Sequence, residues 1–585
     1  MTNSPDHRAA RRATLIVFEG IDGSGKTTLS NALAGALRAR GQAVTHVREG
    51  GRFASTVTQA VRELGRDARN LAMTPWAELF VYLAREIQLL EEATAPALAT
   101  ADVVIADRFF YTAELLATSG RGVPAADVAP VVAAARGGLE PDLVVLVDVD
   151  PFVARARRKV SKQGQPDARP PSRKGQAGVG LQHRLRDGYL ARAAAEPARW
   201  LVVDNTAADL DELVGALVAA VAAAGGGDVA AARACLPTPV AQPRAPDLDL
   251  AAAAFGRWID QRQVREPALA AHLLGGLAGA DWDARRLALV ARAPLAIAGG
   301  LGNQQDEVSW QLRGQLEAVA PGPIVRSYLA ATSPLAITPV APARQVQAAA
   351  RATALAPTVP ADVARALRGR DDDLAWQLRA DLDGADLVRS VAGLDGERAW
   401  AIRRAWLAQH GEAAAWGLPA LAELACATVA GVPGAEAWAW RRGARAAAPV
   451  AALAALAGLD DERAWRWRAR WLARAPRTVL GSVAASDDDQ AWALRHAAAE
   501  RCPEALDSIR GLDGERAWAL RRAHAGRWAL AAARSLGPLA LTAAGAEFLT
   551  ALLVRFPDSP GLWRTAAHAV ARGARGPQPG ASLAP

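Results

Sequence analysis

From residue 14 to about residue 224, short β-branched runs alternate with stretches whose apolar positions recur at helical spacing. TLIVFEG, AVTHVRE, DVVIADR, DLVVLVDVD and RWLVVDN read as five strands separated by amphipathic segments of helix length. That alternation predicts an α/β fold with a parallel five-stranded sheet and helices on both faces, since parallel neighbours need long crossovers. GGGD at 225–228 and the proline-rich LPTPVAQPRAPDLD break the pattern. Residues 225–250 are therefore expected to form a linker, partly helical around DVAAARACL.

Beyond the linker strand signals nearly vanish and a repeat takes over. DDDLAWQLR, GLDGERAWAIR, GAEAWAWR, GLDDERAWRWR, SDDDQAWALR and GLDGERAWALR each place Trp three residues before Arg, from Trp376/Arg379 to Trp518/Arg521, with weaker copies at Trp282/Arg285 and Trp310/Arg313. An aspartate five positions before the Trp (Asp395, Asp460, Asp487, Asp513) is expected to cap a helix start. The acid two residues later (Glu397, Glu462, Asp489, Glu515) then sits in the first turn, against the positive end of the helix dipole. A unit of about 26 residues cannot bury two helices alone, so neighbours must stack into an all-α helical-repeat solenoid. The likeness to HEAT and armadillo repeats is one of architecture only. The Arg one turn from each Trp is placed to stack on it or to reach an acid in the next repeat, and the two are read as packing and inter-repeat pairing. The expected division is a flexible 1–12, an α/β unit over 13–224, the 225–250 linker, the repeats over 251–571 and a disordered tail over 572–585.

Length agrees: 585 residues exceed what one hydrophobic core organises. Cys235, Cys426 and Cys502 are far apart and match no metal-ligand spacing. MTNSPDHRAARR runs into a strand rather than an apolar signal core, and no stretch reaches the length of a membrane span, which favours a cytoplasmic chain with no membrane contact. A net charge of +8 would ordinarily suggest nucleic acid. The charge is scattered arginine interleaved with Asp and Glu, however, and reads as base-composition bias in the gene, so nucleic acid is disfavoured. Lysine occurs only at Lys26, Lys159, Lys162 and Lys174.

The first of these lysines closes Gly20-Ile21-Asp22-Gly23-Ser24-Gly25-Lys26-Thr27, a G-x-x-x-x-G-K-[ST] loop between a strand and a helix, with Thr28 following. Glycines let the loop curl so that its N–H groups face phosphate oxygens, and the helix N-terminus adds partial positive charge. Lys26 is placed to bridge the β- and γ-phosphates of ATP, and the Thr27 hydroxyl to hold Mg²⁺.

With FEGIDGSGKTT, VREGG, DRFFYTAELLATSGRGV, PDLVVLVDVDP and HRLRDGYLARAAAEPARWLVVD in order, residues 13–222 resemble the thymidylate kinase family. The resemblance implies transfer of the ATP γ-phosphoryl group to a nucleoside monophosphate, dTMP first, with Mg²⁺ as cofactor. It implies Lys26, Asp107 and Arg108 as catalytic groups, Asp107 also orienting the metal. Arg48, Arg85 and Arg108 would neutralise the acceptor phosphate, and Asp22 would meet the sugar 3′-hydroxyl. A basic Gly-, Pro- and Ser-rich lid carries Arg155, Arg158, Lys159, Lys162, Arg169, Arg173 and Lys174; because the loop has Ser24 where one subgroup carries arginine, the lid would supply the transition-state cation.

The departures lie in the acceptor pocket. The family's thymine-stacking aromatic falls at Val81, with Phe80 beside it as the nearest substitute. Thr112 is kept, but Leu116 and Ala117 replace a Tyr-Gln pair near base and sugar. A kinase for another nucleotide or small phosphate acceptor, and a nucleotide-binding module signalling through the repeats, stay open as alternatives. A homodimer through the first half and a protein partner on the repeats are left open with them.

Overall fold

The computed structural model describes residues 13–48, 55–163, 172–205, 210–225, 228–237, 244–302, 304–333 and 340–573. The expectations of a flexible N-terminus over 1–12 and of a disordered tail lie outside these residues, apart from Arg572 and Gly573, which form a turn. The chain divides into two compact units, one of residues 1–158 and 170–242, the other of 159–169 and 243–585.

The first unit is the expected parallel sheet. In chain order it contains β1 (Thr14–Glu19), α1 (Lys26–Arg38), β2 (Val44–Arg48), α2 (Thr56–Arg66), α3 (Pro75–Leu89), α4 (Ala95–Thr100), β3 (Val103–Asp107), α5 (Phe110–Leu115), α6 (Ala125–Arg136), β4 (Leu143–Asp148), α7 (Pro151–Val160), α8 (Arg173–Gln176), α9 (Val179–Ala195) and β5 (Trp200–Asp204). Helices 210–225 and 229–234 follow. The strand order is β2-β3-β1-β4-β5, all parallel. β1 is central and its Leu15, Ile16, Val17 and Phe18 are fully buried. One face packs Ile16, Phe18, Ile105 and Val145 against Leu29 and Leu33 of α1 and Leu213 and Leu217 of helix 210–225. Each such side chain contributes about 1.5–3 kcal/mol. The chain moves to β2 and β3 on one side of β1 and then to β4 on the other, so the carboxyl end of β1 opens at the switch point where such sheets bind ligands.

The second unit is helical throughout its described residues, from helix 248–265 to helix 560–571. The tryptophan-bearing helices, such as Glu462–Trp471, Asp489–Ala498 and Glu515–His524, each pair with a short second helix, and the second helices stack side by side. Helix 560–571 packs against helix 248–265, and Arg564 donates to the carbonyls of Leu273 and Gly275, so the row of repeats closes on its own beginning.

The repeat departs from the sequence expectation at the helix cap. The aspartate five positions before Trp is not the helix cap. Asp395, Asp487 and Asp513 accept the indole N–H of Trp400, Trp492 and Trp518 at 2.9, 2.7 and 2.8 Å, and the Asp460 carbonyl takes that of Trp465. The cap falls one residue later, at Asp461 and Asp488, or at Gly396 and Gly514 where no side chain caps. Of the two readings of the arginine, stacking on its own tryptophan holds and reach for an acid in the next repeat does not. Arg379, Arg403, Arg441, Arg468, Arg495 and Arg521 are at most 2% exposed and stack on their own tryptophans at 4.4–5.3 Å. Their guanidinium groups donate to main-chain carbonyls, Arg521 to those of Ile509, Leu512 and Ser535. Short helices leave their last carbonyls without intrahelical partners, and a buried planar fork satisfies several at once.

Candidate functional site

The loop after β1 wraps the start of α1. Gly23 has φ +91° and a Cβ there would lie 2.4 Å from the Ala154 carbonyl; Gly25 has φ +96° and would meet the Asn205 amide. Both positions therefore require glycine. Asn205, just past β5, donates to the Ser24 carbonyl at 2.7 Å and ties the loop to the sheet edge, a contact that no sequence motif announced.

Lys26 is 5% exposed and its ammonium donates to the Ile21 carbonyl at 2.7 Å. Burial, then the Arg108 charge, pull its pKa down to about 7 against the opposing pull of Asp22, Asp107 and Glu19. The Thr27 hydroxyl donates to Asp107 Oδ2 at 2.5 Å, which brings together the two residues expected to hold the metal. A hydroxyl and a carboxylate suit a hard cation such as Mg²⁺, which keeps most of its water and binds few protein oxygens.

Arg108 has the uncommon φ of +84° for a non-glycine residue, directly after β3. Its guanidinium reaches Asp22 at 2.5 Å, Thr112 at 3.1 Å and the Gly20 carbonyl at 3.3 Å. Beneath it lies Glu19, fully buried and absent from the sequence expectation, which accepts from the Phe109 N–H and from the hydroxyls of Thr112 and Tyr189. Burial raises the Glu19 pKa despite Arg108 and these donors. Burial also disfavours the charge of Asp22, but Lys174, Arg108, Lys26 and Arg158 outweigh it and hold that carboxyl well below its usual range.

A cavity opens beside these groups, lined by Asp22, by Val61, Arg62, Gly65 and Arg66 of α2, by Val81, Tyr82 and Arg85 of α3, and by Arg108, Thr112, Arg158, Ser172 and Lys174. Of the expected acceptor residues, Asp22, Arg85, Arg108 and Thr112 meet here. Phe80 does not: it is 54% exposed and lies near Trp76, because one residue along a helix turns a side chain by about 100°. Val81 takes the inward place. Arg48 ends β2 in register with Asp107 but does not line the cavity. Leu116 and Ala117 are buried in a π-helical turn and also stay outside it.

The expected lid residues separate. Arg155, Arg158 and Lys159 lie on α7, with Lys162 in the turn after it; Lys159 and Lys162 fall within the second compact unit, and Arg169 lies outside the described residues. Lys174 approaches Asp22 at 3.5 Å. Arg173 is 6% exposed, donates to the carbonyls of Asn70 and Met73, and pairs with Glu78.

Residues 18–214 match the family model described as thymidylate kinase. The chain is similar to the thymidylate kinase of Trichlorobacter lovleyi, at 37% identity over 33% of this chain and 89% of the relative. It is similar also to the thymidylate kinase of Deinococcus radiodurans, at 37% over 36% of this chain and 97% of the relative, and to that of Solidesulfovibrio magneticus, at 36% over 32% and 90%. Matches at this identity that span 89–97% of each relative, on a sheet and phosphate loop of the expected order, mean that this chain belongs to the thymidylate kinase family.

Proposed function

We propose that the protein is a nucleoside monophosphate kinase that transfers the γ-phosphoryl group of ATP to dTMP by direct in-line attack. The observation that carries this reading is the junction of the Lys26–Thr27–Asp107 cluster with the cation-lined cavity at the end of β1. The acceptor phosphate is a dianion and must approach a second polyanion, so catalysis rests on positioning and charge neutralisation. Arg85, Arg108 and Lys174 face the acceptor, and Arg158 stands between it and the loop. Lys26 turns from the Ile21 carbonyl to the β- and γ-phosphates. Thr27 and Asp107 would hold Mg²⁺, which neutralises charge on the transferred phosphate. Asp22, kept ionised by its neighbours, accepts a hydrogen bond from a sugar hydroxyl. Homodimerisation through this half and a protein partner for the repeats belong to the same reading, tested by sedimentation and by pull-down with the full chain.

A second reading, a kinase for another phosphate acceptor, is favoured by Val81, which gives the cavity an aliphatic side chain where a stacking ring would serve thymine. The purified protein assayed with ATP, Mg²⁺ and a panel of monophosphates separates the two. ADP release with dTMP alone supports the first, release with a different acceptor the second. Turnover unchanged in Lys26→Ala would sink both.

A further inference from the structure

Glu78 and Arg173 are 95 positions apart, and neither faces the cavity described above. Glu78 sits in the first turn of α3, behind the Thr74 cap, and is 1% exposed. Its carboxylate takes both Arg121 Nε at 2.7 Å and Arg121 Nη2 at 3.0 Å, and also the Arg173 guanidinium. Arg173 makes two more bonds to the same stretch of chain, Nε to the Asn70 carbonyl at 3.0 Å and Nη2 to the Met73 carbonyl at 2.7 Å.

α8, which Arg173 begins, has only four residues, and the Oγ of its Ser172 cap accepts from the Gly175 N–H of the same turn. A single turn of helix does not hold itself in water, so its place is set by what anchors it. The anchoring residue stands between the two that matter for the cavity: Ser172 and Lys174 both line it, and Lys174 reaches Asp22. One turn beyond Glu78, α3 presents Val81 and Tyr82 to the same cavity, and Arg85 one turn further on. A buried ion pair of this kind adds little net stability, because desolvation of both charges offsets their attraction. Burial, the largest cause, lowers the Arg173 pKa here, and Glu78 opposes it only in part. Its effect is geometric.

We propose that Arg173 and Glu78 are positioning residues for phosphoryl transfer: their buried pair fixes the 172–174 wall of the acceptor cavity to α3 and so places Lys174 beside Asp22 and the incoming phosphate. The inference rests on the kinase reading and extends it to residues that touch neither substrate.

The test uses the full chain and steady-state kinetics with ATP, Mg²⁺ and the acceptor that supports ADP release. Arg173→Met is expected to lower kcat/KM for the acceptor by about 10- to 100-fold, the range that misplacement of a reacting group costs, with the KM for ATP within about twofold of wild type. Lys174→Met is expected to lose a similar factor, and the double variant little more than either alone, since each removes the same contact. Losses that multiply in the double variant, or a Arg173→Met enzyme with wild-type acceptor kinetics, overturn the proposal. If Arg173→Met does not fold, Glu78→Gln, which removes the charge and keeps the shape, carries the same expectation in the same cycle with Lys174→Met. A wild-type protein that turns over no acceptor overturns the kinase reading and the proposal with it. An active wild type with indifferent variants overturns the proposal alone.

Discussion

Replacing Arg521 by alanine tests whether the repeats are held by their buried guanidinium groups. In the folded chain Arg521 is fully buried; Nη2 donates to the carbonyls of Leu512 at 2.8 Å, Ser535 at 3.1 Å and Ile509 at 3.2 Å, and Nε donates to the Ser535 hydroxyl at 2.9 Å. Nη2 has two hydrogens, so two carbonyls lose a charge-assisted bond, each worth roughly 1.5–3 kcal/mol. The stack on Trp518 adds about 0.5–2 kcal/mol. Against this, the variant no longer buries a charge, whose cost is visible in the fall of the Arg521 pKa to about 10. The balance predicts a loss of about 2–4 kcal/mol, whereas Arg522→Ala, at an exposed neighbour, should stay within about 0.5 kcal/mol. Urea unfolding followed by tryptophan fluorescence is the assay, because all but Trp76 and Trp200 of the 18 tryptophans lie beyond residue 250. Arg521→Lys should recover little, since one ammonium cannot reach the spread of acceptors. Equal stability of the Arg521→Ala and Arg522→Ala proteins would refute the reasoning; full recovery by lysine would show that charge, not the fork, is what matters.

Four further outcomes follow from the first unit. With a pKa near 7, Lys26 is mostly neutral in the free protein at pH 8, and ATP restores its charge; calorimetry in buffers of different ionisation enthalpy should show uptake on the order of one proton at pH 8 and little at pH 6, absent in Lys26→Arg. Because that pKa lies below its unfolded value, the same group should make the free protein more stable as pH rises from about 7 toward 10.5, and a flat or opposite trend in the difference between wild type and Lys26→Met contradicts the burial argument. Phe80→Ala should leave the acceptor KM within about twofold while Val81→Phe shifts it, and the reverse pattern would put the ring back in the pocket. Gly23→Ala, with its Cβ 2.4 Å from the Ala154 carbonyl and φ of +91°, should abolish ATP binding by calorimetry at a stability cost of about 1–3 kcal/mol.

The parallel sheet and the phosphate loop were legible because their signals are local. The strands are short, nearly continuous β-branched and apolar runs, and the loop's glycines, lysine and threonine fall within eight consecutive residues on a strand–turn–helix. The cavity proposed for the acceptor was legible only in part: Phe80 and Val81 differ by one position, and composition does not say which of two neighbours turns inward. The Glu78–Arg173 pair and the Asn205 tie join segments far apart in sequence, so no window contains them. In the repeats a usable signal went unread. Pro267, Pro294 and Pro321, and again Pro449, Pro476 and Pro503, stand 27 residues apart, and all but Pro503 open a second helix at its first position. Proline costs nothing there, where the missing N–H has no partner to lose. Pro503 occupies the cap position instead.

The arginine excess also changes meaning. In the sequence it looked like gene composition or a footprint for polyanions. Among the described residues, buried cations outnumber buried carboxylates by thirteen to four, and seven of the thirteen are the repeat arginines Arg313, Arg379, Arg403, Arg441, Arg468, Arg495 and Arg521. That surplus of nine exceeds the net charge of +8, so the remaining lysine, arginine, aspartate and glutamate residues nearly cancel. A protein attracts nucleic acid through charge it presents to solvent, and here the excess faces main-chain carbonyls and indole rings instead. The basic isoelectric point is in large part a count of the arginines inside the helical repeats, and lysine, lacking the planar fork, could not have replaced them.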